Sequence, residues 1–95
     1  MKTILSLLLL ALPLQAANRY VRAGAGGAAT GGDWTDAYTN LPGTLTRGDT
    51  YYVADGDYTA STWTFDDAES GTTQITVKKA TVADHGTATG WLDTY

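Results

Sequence analysis

The chain has 95 residues, no cysteine, and 6 basic against 10 acidic side chains, a formal net charge of −4. An acidic surface repels phosphate backbones and anionic lipids, so nucleic acid is not an expected partner. The absence of cysteine excludes a disulfide framework, the usual support of a small exported domain. With 11 Gly, many Thr, and 3 Trp, 6 Tyr and 1 Phe, the composition favours pleated, half-exposed surfaces over long helices.

Residues 1–16 read as a secretory signal peptide. Lys2 supplies a basic start, and Ile4 to Leu12 form an apolar run broken only by Ser6. Pro13 ends any helix, and Leu14-Gln15-Ala16-Ala17 offers a small-residue exit, with cleavage expected after Ala16 or Ala17. The run is far short of the roughly 20 apolar residues that span a bilayer. A short buried helix is the plain alternative, but the run leaves no polar face. The expected location is therefore periplasmic or extracellular. Removing 16 of the 95 residues leaves 79, with Arg19, Arg22, Arg47, Lys78 and Lys79 against ten acids. A chain of that size buries only about 60–65% of its unfolded surface. It is expected to pack very well, bind metal, associate, or continue beyond Tyr95, and continuation is the preferred expectation.

Asn18 to Arg22 alternates polar and apolar residues and predicts a first strand. Ala23 to Gly32, with five Gly in ten residues, predicts a loop. Asp33 is a good N-cap, and Trp34, Ala37 and Leu41 follow at helical spacing. A helix of about two turns is expected there, ended by Pro42, with Trp34 and Leu41 buried. A connector carrying Arg47 runs from Gly43 to Gly48.

Three β-type segments come next. Thr50 to Ala54 ends at the turn pair Asp55-Gly56, and Thr62 to Phe65 ends at Asp66, Asp67, Glu69 and Gly71. Gln74 to Lys78 alternates, with Ile75 and Val77 on one face and Gln74, Thr76 and Lys78 on the other. Tyr51, Trp63 and Ile75 are 12 residues apart, as are Val53, Phe65 and Val77. Two architectures fit this spacing. In a parallel β-helix, residues 24 apart stack, Tyr51 on Ile75 and Val53 on Val77. In an antiparallel β-sandwich or meander, consecutive segments pair directly.

The segment from Tyr20 to Tyr58 resembles the N-terminal region of secreted right-handed parallel β-helix proteins, the pectate-lyase-like superfamily. The features run in order: Tyr20-Val21, a Gly-rich loop, Asp33-Trp34 with Ala37, then Leu41 and Leu45, then Gly48-Asp49-Thr50-Tyr51-Tyr52-Val53-Ala54-Asp55-Gly56-Asp57-Tyr58. Gln74 to Ala80 is similar to the next strand of such a coil system. The resemblance implies an all-β fold, the capped N-terminal fragment of a right-handed parallel β-helix with a short capping helix. Residues 17–48 would form the strand, loop and cap, and residues 49–95 the first coils. It also implies a carbohydrate-related role, because many members cleave acidic polysaccharides by lyase or hydrolase chemistry. The family's catalytic residues lie on later coils, so none is carried over and the active site is expected beyond residue 95. A non-catalytic surface or adhesion β-helix and a small carbohydrate-binding β-sandwich module are the alternatives.

No residue of the chain itself makes a persuasive catalytic or metal site. The glycines at 24, 26, 27, 31 and 32 fail the dinucleotide pattern, since Ala29 stands where a third Gly is required. Asp55, Asp57, Asp66, Asp67 and Glu69 do not follow EF-hand spacing. Turn chemistry and solvated charge account for them, and Ca²⁺ is an open expectation only for a longer protein. No pair of acids is singled out for glycoside hydrolysis. His85, between Asp84 and Gly86, reads as a turn residue, and Ser61 and Ser70 lack partners for a triad. Of Lys78 and Lys79, one is expected to point outward. Tyr52 and Tyr58 are the candidate sugar-stacking platforms, because alternation assigns Trp63 to the core. Trp91, Leu92 and Tyr95 are expected to begin further structure.

Overall fold

A computed structural model describes residues 16–58, 64–68 and 71–95. The expected signal segment up to residue 15, the core assignment of Trp63, and Ser61, Glu69 and Ser70 lie outside the described residues.

Three strands form one sheet: β1 (Asn18–Val21), β2 (Thr50–Val53) and β3 (Thr76–Lys79). The sheet order is β1-β2-β3, and both pairings are parallel. The described strands thus pair by crossover, through residues 22–49 and 54–75, and not as the antiparallel alternative would require. The protein is all-β, with no helix among the described residues.

Burial explains why such short strands hold. Tyr51 and Tyr52 are consecutive, point to opposite faces, and are both buried. A parallel sheet covered on both faces reads this way, as a continuous apolar run without alternation. On one face, Tyr20, Trp34, Ala37, Tyr52, Ala54 and Ala80 form a cluster joined by Ala25, Trp91 and Tyr95. On the other face, Val21, Leu41, Leu45 and Tyr51 pack with Tyr38, Val53, Tyr58 and Ile75. Trp34 and Leu41 are buried as expected, but on opposite faces.

That division accounts for the missing helix. The Asp33 cap does form, with Asp33 Oδ1 accepting the Asp36 amide at 2.8 Å. The backbone bonds beyond it go elsewhere. Trp34 N–H donates to Thr89 O at 3.0 Å, Gly31 N–H to Asp36 O at 2.8 Å, and Tyr38 N–H to Tyr20 O at 2.9 Å. Tyr38 makes an isolated parallel bridge with Val21. A helix nucleus fixes several residues for one bond. Here Thr35, Tyr38, Thr39 and Asn40 propagate poorly, and an extended Tyr38 gains sheet bonds instead.

The register differs from the 24-residue stacking. Thr50 lies opposite Thr76 and Tyr51 opposite Val77, an offset of 26. Val53 lies opposite Lys79 instead of Val77. Pairing begins at Gly48, whose N–H donates to Gln74 O at 2.9 Å and whose φ of 92° opens the turn into β2. A two-residue slip keeps every side chain on its face. Ile75 therefore still joins the Tyr51 cluster, but one level out of place. Thr64 and Phe65, the described part of the expected middle strand, carry no strand. Phe65 is 65% exposed and Val77 37%, so neither joins Val53 in the core as their spacing suggested.

The loop from Ala23 to Gly32 has no regular structure but is pinned. Asp36 Oδ1 accepts the Ala28 amide at 2.8 Å. Gly31, at φ 75°, lies under the Tyr38 ring, where a Cβ would collide with the ring carbons.

Candidate functional site

The two edges of the sheet differ. The outer edge of β1 is occupied: Tyr20 N–H donates to Gly31 O, Tyr20 O accepts from Tyr38, and Arg22 N–H donates to Tyr38 O at 2.8 Å. On β3, the N–H groups of Thr76 and Ala80 reach back to Asp49 O and Val53 O. By strand alternation the backbone groups of Val77 and Lys79 point away from β2. Among the described residues no backbone hydrogen bond reaches that outer edge.

Beside this open edge lies a groove of about 390 Å³ lined by Leu45, Arg47, Phe65, Asp67, Ile75 and Val77. Val77 is 37% exposed there. Arg47 holds one wall, its Nε donating to Ala68 O at 2.9 Å and its second guanidinium nitrogen to Asp67 O at 2.7 Å. Asp67 Oδ1 in turn accepts the Leu45 amide at 3.1 Å. The volume falls within the range of small-ligand clefts. The lining offers apolar surface, one guanidinium and one carboxylate already engaged by an amide. That set can hold an apolar group or a side chain, but it supplies no nucleophile with a base beside it.

On the opposite face an aromatic ladder follows the register Tyr20, Tyr52, Lys78. The two tyrosine rings stack at 5.7 Å and 10°, and Lys78 Nζ sits 4.9 Å from the Tyr52 ring. Lys78 also pairs with Asp84 at 2.8 Å. This hydrogen bond raises the Lys78 pKa and lowers that of Asp84. Tyr52 is therefore buried and cannot serve as an exposed sugar platform. Tyr58 is half-buried, with its hydroxyl donating to Ala54 O at 2.8 Å and accepting the Ala23 amide at 3.2 Å. Burial, its largest influence, raises the Tyr58 pKa. Lys79 is the outward lysine and pairs with Asp55 at 3.0 Å.

His85 does more than turn the chain. Its ring stacks on Trp91 at 4.3 Å and 7°, and its carbonyl accepts from Trp34 Nε1 at 2.9 Å. Trp91 and Tyr95 close over Trp34 at centroid distances of 5.0 and 6.3 Å, while Leu92 stays exposed. Asp57 and Asp66 are exposed, and among the described residues no three His, Asp or Glu side chains come together as a metal site.

Asp49 is the residue that pattern reading passed over. It is 2% exposed. Its Oδ1 accepts the Ala17 amide at 2.9 Å and its Oδ2 accepts from Arg19 Nε at 3.0 Å. This hydrogen bond is the main cause that raises the Arg19 pKa. The available signal was a carboxylate placed directly before an apolar strand, with Arg19 at an alternating position of the first strand.

No protein-family model matches the chain, and neither a curated protein nor a solved structure matches it.

Proposed function

We propose that this chain is the N-terminal capping segment of a secreted parallel β-helix protein that degrades a polysaccharide by lyase or hydrolase chemistry, its active site lying beyond residue 95. One observation carries the structural part. The sheet is parallel in chain order, with its first edge closed by residues 31–38 and its last edge open among the described residues. A stack that grows one strand at a time needs its first edge covered, since bare N–H and C=O groups recruit other chains. The groove under Ile75 and Val77 is then the floor on which the side chains of a following strand pack. The carbohydrate part rests on the family resemblance and on export, and a non-catalytic adhesion β-helix is the second reading.

The test uses the product of the intact gene. Polygalacturonate and other polyuronates are supplied, and unsaturated or reducing sugar ends are measured, with amide exchange followed in parallel. The reading expects new sugar ends and slow exchange at Val77 and Lys79. Protected amides without any cleavage would leave the adhesion reading in its place. Fast exchange at both amides would overturn the capping role itself.

A further inference from the structure

Asp49 is the one buried charged residue among the described residues. One oxygen is matched by Arg19, a full charge that stays partly in solvent. Among the described residues the other is matched by a neutral main-chain amide, that of Ala17. Ala17 is also tied through its carbonyl, which accepts the Thr50 amide at 3.0 Å. Ala17 is thus the first of the described residues with both backbone groups bonded at the start of β2, through Asp49 and Thr50, and it follows directly on the small-residue exit of the leader.

We propose that Asp49 is a receptor for the N-terminal ammonium created when the leader is cut between Ala16 and Ala17. The proposal rests on the secretory reading of residues 1–16 and selects one of its two cleavage positions. In the cut, a peptidase of the export route adds water across the Ala16–Ala17 peptide bond. The C–N bond breaks, hydroxide is retained on the Ala16 carbonyl as its carboxylate forms, and the Ala17 nitrogen leaves as an amine that takes up a proton. The nitrogen already 2.9 Å from Asp49 Oδ1 then becomes –NH₃⁺. A neutral hydrogen bond at a buried carboxylate becomes a charge-assisted one, of roughly twice the strength. Cleavage after Ala17 would instead discard the residue that holds both Asp49 and Thr50. Processing therefore tightens the junction of β1 with β2, and through Asp49 O, which accepts the Thr76 amide at 3.1 Å, the start of β3.

The experiment expresses the full chain with its leader in a secreting bacterial host. The exported product is identified by N-terminal sequencing and intact mass. Its α-amine is then acylated with a limiting reagent at neutral pH, folded and in urea, and the rate is read by mass spectrometry of the N-terminal tryptic peptide. The expected product begins at Ala17. Its amine should react at least about tenfold more slowly when folded, the smallest effect that a charge-assisted bond to a buried carboxylate gives. Asp49→Asn should abolish the difference, and Arg19→Gln should keep it. Should Asp49→Asn not fold, one glycine inserted between Ala16 and Ala17 moves the ammonium off the carboxylate with Asp49 intact, and protection should vanish there too. A product starting at Asn18, equal rates in folded and unfolded chain, or protection that survives the glycine insertion would overturn the pairing alone. Retention of Met1 on an unexported chain would overturn the leader reading together with it. A failure to find polysaccharide cleavage touches neither.

Discussion

The Tyr20 hydroxyl accepts the Thr87 amide at 2.9 Å, joining the first strand to a segment 67 residues later in the chain. The joint depends on Gly86, which sits at φ 65° against the Tyr20 ring. A Cβ on residue 86 would lie 2.5 Å from the Tyr20 hydroxyl oxygen and 2.9 Å from its Cε1. Gly86→Ala therefore meets two penalties, the left-handed backbone and the collision. The first alone costs about 1–2 kcal/mol. A clear drop in the thermal midpoint is expected, with Ala added at exposed Gly43, where nothing lies within 4 Å, as the neutral control.

Among the described residues Trp34 is the largest side chain with no exposure, and it is the hub of its face. Tyr20 and Trp91 each pack against it at 5.0 Å, and its Nε1 donates to the His85 carbonyl. Truncation to Ala removes both the filling and a donor. Loss of about 3–5 kcal/mol is expected, which is a large part of the total stability of a small domain. Urea unfolding of Trp34→Ala should give a lower midpoint, or no cooperative transition at all. A midpoint equal to the parent would mean that residues 84–95 do not cover this face.

Stability should fall in alkali for a stated reason. Burial holds the Tyr58 phenol above its ordinary 10.0, and Asp84 holds Lys78 above 10.5. Both groups keep their proton longer in the folded chain. Their contribution is complete below the unfolded values and is lost as pH rises through the folded ones. Asp84 has the opposite sign, lowered from 3.8 by the Lys78 hydrogen bond. Its contribution is present above 3.8 and lost as pH falls through the lowered value. Tyr58 and Lys78 should therefore make thermal midpoints decline above pH 10. Tyr58→Phe should reduce the alkaline slope. The acid-side decline from the exposed Lys78–Asp84 pair should shrink in high salt.

Much of this arrangement was legible in the sequence. The strands around Tyr20, Tyr51 and Val77 follow from local β-propensity, which needs no knowledge of the rest of the chain. Burial of Trp34 and Leu41 was legible from apolar spacing, and parallel pairing of the strands was one of two arrangements that the spacing allowed. Four things were not legible. The Asp33 cap promised a helix, but the bonds that replaced it come from Tyr20 and Thr89, which are distant in sequence. The offset of 26 depends on where Gly48 turns, and face patterning is blind to a slip of two. Asp49 looked like part of a turn phrase, because its partners Ala17 and Arg19 lie 32 and 30 residues away. The groove was illegible for a related reason. Arg47 and Asp67 become neighbours only once β2 and β3 are side by side.

The direction and register of the strands can be read by cross-linking, since the chain has no cysteine of its own to interfere. Thr50 and Thr76 are register partners on adjacent parallel strands, and neither is buried. Thr50 and Lys79 stand three residues out of register, roughly 10 Å apart at the rise of a strand, beyond the ~7 Å Cα limit for a disulfide. In an antiparallel pairing of the same two strands, Thr50 would instead face Lys79. The double variant Thr50→Cys/Thr76→Cys should oxidise to an intramolecular disulfide, measured by mass and by loss of free thiol, while Thr50→Cys/Lys79→Cys stays reduced. A disulfide in the second variant with free thiols in the first would contradict the parallel pairing, and the proposed capping role would fall with it.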